Sequence, residues 1–347
     1  MADPSLRNNP AWFGSVMGTS ALAIACGQES AFVPWLEYVA PGLLILASVL
    51  GIVLLPLYAS RPRHRAEFLE EISDPGGGAM LATFPAGLLL LAAAWGTITP
   101  AWIGITAALV VSAILMVSGA VIAVILSLVW VSEQTRGAHD LSGVNGGWLI
   151  PPAMNLIVAL SIAPQMVARP DQATWLFAVG CAFYGVGLVL YLAMLALLLT
   201  RLALRPPLPA AMLPAMWIPI APAALMGVSL SRLIESGISV GILDESMMGV
   251  ATIVTAMGVG LGLWWLLYAL ADLVRARRSG DVPFHPGWWG FVFPLGALQI
   301  AIADLGILLG SGLIDVLALV CLPLLAVVWC VVAYRTSAEV LASRRGA

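Results

Sequence analysis

The chain has 347 residues, of which 61% are hydrophobic and 10% are charged, and its mean hydropathy is +1.01. Soluble proteins carry about 25% charged residues, so 15 basic and 18 acidic side chains cannot cover a water-soluble globule of this length. The composition excludes a soluble enzyme, a nucleic-acid-binding protein and a secreted domain, whereas the net charge of −3 excludes nothing. It predicts an all-α integral membrane protein that folds in the lipid bilayer.

Charge-free apolar runs predict the membrane spans, because a spanning helix needs about 20 mostly apolar residues. The longest run, from Pro75 to Ser132, is too long for one helix, and Gly96–Pro100 supplies a turn that divides it. We expect the spans to form one domain that covers residues 1–347. Ten spans are predicted, at residues 11–27, 39–60, 79–96, 102–131, 148–167, 173–200, 210–235, 247–274, 288–310 and 313–334.

The arginines predict the orientation of these spans. If ten helices alternate in direction, thirteen arginines, Arg7, Arg61 and Arg63 among them, fall on one side of the membrane, and only Arg169 falls in a loop on the other. Positive charges concentrate on the cytoplasmic side of membrane proteins. Both termini are therefore predicted to be cytoplasmic. The absence of lysine beside abundant arginine and alanine favours a GC-rich bacterial source, and hence the bacterial inner membrane as the plasma membrane concerned.

Residue types that carry catalysis or bind metals are sparse. The four cysteines lie in apolar runs without a C-x-x-C pair, and the three histidines lie in polar connections. A metal site or a catalytic centre needs several such groups close together. The sequence therefore predicts no metal, no cofactor and no enzymatic activity, and a membrane-embedded enzyme or a non-transporting scaffold is kept only as a remote alternative.

Prolines recur near the predicted cytoplasmic ends of the odd-numbered spans. Pro85, Pro152 and Pro219 are 67 residues apart, and Pro294 follows 75 residues later, which indicates a repeated hairpin of about 70 residues. Proline inside a helix removes a hydrogen bond and kinks the chain, and lipid tolerates this only where protein or water satisfies the freed groups. The pattern favours an inner ring of odd-numbered helices that lines a pathway. The alternative is that the prolines only shape helix packing.

Three segments then resemble the motifs of one family, in the expected order and over nearly the whole chain: Asn9–Ser20 (NPAWFGSVMGTS), Gly146–Pro152 (GGWLIPP) and Trp288–Gly296 (WWGFVFPLG). They are similar to the first, fifth and ninth helices of the tellurite-resistance/dicarboxylate transporter family, which is related to slow anion channels, malate permeases and sulfite efflux pumps. The resemblance implies an anion channel or transporter whose partners are small anions, sulfite or C4-dicarboxylates such as malate.

The resemblance also implies an architecture and a gate. It implies five helical hairpins around a pseudo-five-fold central pore, in a homotrimer with one pore per subunit. A phenylalanine of the ninth helix would occlude the pore, and the matching residue is Phe293. The alternative for Phe293 is an ordinary packing aromatic. The other residues predicted to line the pore or kink its helices are Gly14, Gly18, Phe84, Pro85, Pro152, Pro219 and Pro294, with Gly14 and Gly18 expected to leave room beside the Phe293 ring.

Charged residues inside the predicted spans are Arg232, Glu235 and Asp304, near the outer ends of the seventh and ninth helices. Asp304 is eleven residues beyond Phe293, which places it on roughly the same helix face about 16 Å further out. Such residues are usually paired or face water. One hypothesis is a charged vestibule in which Asp304 carries a proton for a coupled dicarboxylate or sulfite carrier; the other is an ion pair that only joins helices. No cationic side chain lies at mid-membrane depth, which favours weakly held, channel-like passage.

Overall fold

The structure is a computed structural model that describes residues 9–59, 64–98, 103–137, 140–280 and 282–345. These residues form helices and no strand. The predicted span limits at Ser60 and Trp102, and the arginines Arg7, Arg61 and Arg63, lie outside the described residues. The long helices are α1 (Phe13–Glu29), α2 (Leu36–Ala59), α3 (Thr83–Thr97), α4 (Ile105–Arg136), α5 (Ile150–Ala168), α6 (Ala173–Leu204), α7 (Ile220–Ser239), α8 (Met248–Ser279), α9 (Val292–Leu309) and α10 (Gly312–Arg345).

Nine of these helices, several with a short leading turn, are long and apolar enough to cross a bilayer within the part of the chain that the structure describes. Helix α1 is shorter, at 17 residues, and it contains small and polar residues such as Gly18 and Thr19 before it ends in Gln28 and Glu29. Nearly all of its residues are buried. Helix α1 therefore packs against other parts of the protein on nearly all of its sides.

The odd-numbered helices form a closed inner ring. Helix α1 contacts α3, α3 contacts α5, α5 contacts α7, α7 contacts α9, and α9 returns to α1. The most apolar stretches of α3, α5, α7 and α9 are 78–94% buried, whereas those of the even-numbered helices are only 17–33% buried. Each even-numbered helix packs outside the inner helix that precedes it and also reaches the next one. The apolar outer faces of the even-numbered helices suit contact with lipid.

A 3₁₀ segment precedes every inner helix. Pro85, Pro152 and Pro294 are each the third residue of their α-helix, and Pro219 directly precedes α7. Proline fits the first turn of a helix, where its missing N–H removes no essential bond. The prolines therefore mark the change from 3₁₀ to α-helix rather than kinks within an α-helix. The segments are Pro10–Trp12, Gly78–Ala82, Gly146–Leu149, Ala210–Trp217 and Pro286–Phe291.

Three of these segments begin with the same side-chain cap. Asn9 accepts a hydrogen bond from the backbone N–H of Ala11, and Asn145 accepts one from Gly147 in the same manner. His285 accepts the equivalent bond from the N–H of Gly287 through Nδ1, at 3.1 Å. Such caps satisfy backbone donors that have no partner at a helix start. The repeated cap fixes where these inner helices begin.

Candidate transport pathway

A wide cavity of about 470 Å³ lies inside the ring. Residues from the later parts of α1, α3 and α5, from α7 between Leu225 and Ser236, and from the first half of α9 form most of its wall. The wall is mainly apolar, and a small number of polar groups, including Thr97 and Arg232, interrupt it. Representative lining residues, one from each inner helix, are Ile24, Leu90, Leu160, Leu225 and Ala297.

A second, smaller cavity of about 70 Å³ lies at the opposite ends of the inner helices. It is lined by the first turns of these helices and by the 3₁₀ segments before them, including Gly14, Thr83, Ile150, Ile218 and Pro294. Since the starts of the inner helices meet at one cavity and their later residues meet at the other, the five helices run in the same direction.

Phe293 forms part of the wall of both cavities. It is the second residue of α9 and is only 5% exposed. Of the described residues that line the two cavities, Phe293 alone lines both. Its side chain is therefore the one place where the two spaces share a wall residue.

The glycines expected beside Phe293 serve a different contact. A Cβ on Gly14 would lie 2.7 Å from Cβ of Trp289, and one on Gly18 would lie 2.9 Å from Cγ1 of Val292. The atoms nearest to these positions belong to Trp289 and Val292, not to Phe293. Both glycines let α1 approach the start of α9 closely, as small residues do at helix contacts in membranes. Gly14 also lines the smaller cavity, whereas Gly18 lines neither.

Phe84 does not line either cavity. Its ring stacks on Tyr58 of α2 with centroids 4.2 Å apart and packs edge-on against Phe13 at 4.9 Å. The Phe84 side chain thus lies in the contact between α1, α2 and α3, and its predicted role in lining the pore stays a prediction. Pro85, Pro152 and Pro219 are also absent from both linings.

Arg232, Glu235 and Asp304 form one connected cluster. The Arg232 guanidinium donates to Oε2 of Glu235 at 3.0 Å and, from its other terminal nitrogen, to Oδ1 of Asp304. Asp304 also accepts from Nε2 of Gln28 at 2.6 Å. Asp304 is buried, whereas the Arg232 side chain is 33% exposed and lines the wide cavity. The cluster joins α1, α7 and α9 and presents the cation, not Asp304, to the cavity.

Sequence reasoning missed a second polar contact between α1 and α9. Gln299 donates from Nε2 to Oε1 of Glu29 at 2.8 Å, and both residues are 1% exposed. The first span was predicted to end at Gly27, so Glu29 was not counted among the intramembrane charges. The glutamine at position 299, within an otherwise apolar run, was the available signal.

The sequence profile of the voltage-dependent anion channel family matches residues 7–337. The chain belongs to this family. The resemblance to the tellurite-resistance/dicarboxylate transporters and their channel relatives is thereby confirmed, and the chain is a multi-pass membrane protein of a family of channels and transporters.

Proteins of similar sequence are named as transporters or efflux pumps. An uncharacterized transporter of Methanocaldococcus jannaschii is 29% identical over 299 residues, which cover 83% of this chain and 80% of the relative. A second uncharacterized transporter of that organism is 28% identical over 294 residues, covering 82% and 81%. A sulfite efflux pump of Arthroderma otae is 26% identical over 336 residues, covering 93% and 88%. The similarity to these relatives extends over most of each chain.

Proposed function

We propose that this protein is a plasma-membrane anion channel or transporter that passes small anions or C4-dicarboxylates, malate among them, along the axis of the inner ring. The observation that carries the proposal is the position of Phe293, which alone among the described residues lines both cavities. In this proposal its phenyl ring occludes the pathway, and movement or removal of the ring joins the two cavities into one pore.

The direction of the inner helices favours anions. The start of an α-helix carries about half a positive elementary charge, and five such starts surround the smaller cavity. Backbone dipoles of this kind attract an anion without holding it as strongly as a fixed cation would. The sulfite efflux pumps among the relatives make sulfite a leading substrate to test.

The proposed architecture has ten spans in five hairpins around a pseudo-five-fold pore. Helix α1 with its leading 3₁₀ segment covers 20 residues, from Pro10 to Glu29, which is enough to cross the hydrocarbon layer. Its polar residues are tolerable there because other helices surround it. A homotrimer, cytoplasmic termini and the bacterial inner membrane complete the proposal; the arginine distribution supports the orientation.

The competing proposal is a proton-coupled carrier of dicarboxylate or sulfite that uses Asp304. The burial of Asp304 and its bonds to Arg232 and Gln28 disfavour it, because proton exchange would first have to break these contacts. An Asp304→Asn variant decides the matter. Loss of the pH dependence of transport would favour coupling through Asp304, and an unchanged rate and pH dependence would exclude it.

The test of the pathway is anion flux in proteoliposomes that contain wild-type protein or Phe293→Ala. The panel is chloride, nitrate, sulfite and malate. Phe84→Ala is the matched control, because Phe84 also precedes a proline at the start of an inner helix but packs against Phe13 and Tyr58. We expect a large gain of flux in Phe293→Ala alone. Silence of the Phe293→Ala protein towards every anion would contradict the proposed function.

A further inference from the structure

The wide cavity presents one cationic side chain among the described residues that line it, Arg232. This side chain is 33% exposed and lines the cavity, so an ion in the cavity can reach part of it. Apolar residues such as Ile24, Leu160 and Leu225 form most of the surrounding wall. A hydrogen bond is stronger in such surroundings than in bulk water.

The guanidinium is held in place but not fully used. One terminal nitrogen donates to Glu235 and the other to Asp304, and Gln28 in turn holds Asp304. These bonds fix the cation between α7 and α9. A guanidinium has five N–H donors, so three remain after the two carboxylates are satisfied.

The net charge around Arg232 does not favour anions. Glu235 and Asp304 together outweigh its single positive charge, and Glu37 adds another carboxylate to the cavity wall. An anion must therefore gain its affinity from directed hydrogen bonds. The planar guanidinium offers paired donors that match two oxygens of one carboxylate or similar oxyanion. Chloride is a single accepting atom and cannot match the two parallel donors with two separate oxygens.

We propose that Arg232 is an oxyanion-binding residue of the wide cavity, which takes sulfite or a carboxylate in preference to a halide. The inference rests on the proposed anion pathway and names the substrate class of that pathway. The two carboxylates keep the site weak, as transport requires, because an ion that is held tightly leaves slowly.

The test uses planar bilayers with the Phe293→Ala protein, and compares sulfite with chloride added to one side at a time. Arg232→Lys keeps the charge but loses the paired donors. We expect it to raise the half-saturating sulfite concentration about tenfold, as loss of one charged hydrogen bond implies, and to change that of chloride by less than about twofold. Arg169→Lys is the matched control, since Arg169 bonds to Gln165 and lines neither cavity.

A second variant gives the opposite sign. Glu235→Gln leaves the bond from Arg232 to Asp304 but removes one competing charge, so the half-saturating sulfite concentration should fall about threefold. If Arg232→Lys is not recovered as folded protein, this variant decides alone, and an unchanged value overturns the proposal. If Phe293→Ala conducts but both further variants keep its preference between sulfite and chloride, the Arg232 proposal fails while the pathway stands. If Phe293→Ala conducts no anion, the proposed function itself fails.

Discussion

Phe84 and Phe293 occupy the same position in two inner helices, since each is the second residue of its α-helix and directly precedes a proline. Their surroundings differ. Phe84 stacks on Tyr58 at 4.2 Å, whereas Phe293 lines both cavities. The repeat thus sets the position of each ring along its helix, and the neighbouring helices decide whether that ring faces the axis or the packing between helices.

The close approach of α1 to α9 predicts that Gly14→Ala destabilises the fold. The new Cβ would lie 2.7 Å from Cβ of Trp289, an atom with little freedom to move, and overpacking of this kind costs about 1–3 kcal/mol. The measurement is the midpoint of thermal unfolding in detergent. Gly260→Ala in α8 is the control because a Cβ there meets nothing within 4 Å. Equal midpoints for the two variants would contradict the predicted contact.

We expect the two carboxylates of the charge cluster to contribute unequally to the free energy of unfolding. Asp304 is 3% exposed and Glu235 is 36% exposed, although both bond to Arg232. Breaking a buried ion pair costs about 3–5 kcal/mol, while an exposed pair contributes about 1 kcal/mol or less. Asp304→Ala should therefore lower the free energy of unfolding far more than Glu235→Ala in a detergent titration. Similar losses would show that burial does not govern this cluster.

His285 predicts a pH-dependent stability. Its Nδ1 accepts from the N–H of Gly287, so Nε2 carries the proton and donates to the carbonyl of Ala211 at 2.7 Å. Burial lowers the pKa of His285 below its usual value near 6.5. The stabilisation by the neutral ring is therefore present above about pH 6.5 and is lost as the pH falls through the lowered pKa. Protonation removes the Nδ1 acceptor and with it the cap.

The repeat supplies the variant that tests this. Asn9 and Asn145 cap the equivalent segments without titrating, so His285→Asn should keep the cap and unfold with less pH dependence between pH 8 and pH 5. The measurement is the midpoint of thermal unfolding at both pH values, with His64→Asn in an exposed connection as the control. If His285→Asn unfolded with the same pH dependence as the wild-type protein, His285 would not be the source of that dependence.

Composition and charge-free runs predicted the helices well because hydropathy reports the transfer of each segment from water to an apolar phase. The same property says little about which residues meet. The end of α1 was missed because Gln28 and Glu29 are polar and resemble loop residues in the sequence. In the structure Gln28 donates a hydrogen bond to Asp304, and Glu29 accepts one from Gln299. The contact of Gly14 with Trp289 was not predicted, because the rotation of α1 against α9 depends on tertiary packing, which spacing along the chain does not encode.

The most direct test of the occluded pathway is the conductance of a size series at position 293. The series runs from Phe through Leu and Val to Ala, so it first removes the ring and then shortens the branched side chain. Each residue is apolar and compatible with the helix. Chloride conductance in planar bilayers should rise stepwise as the side chain becomes smaller, with the Phe84→Ala control unchanged. A folded Phe293→Ala protein with wild-type conductance would contradict the claim that this ring closes the space between the two cavities.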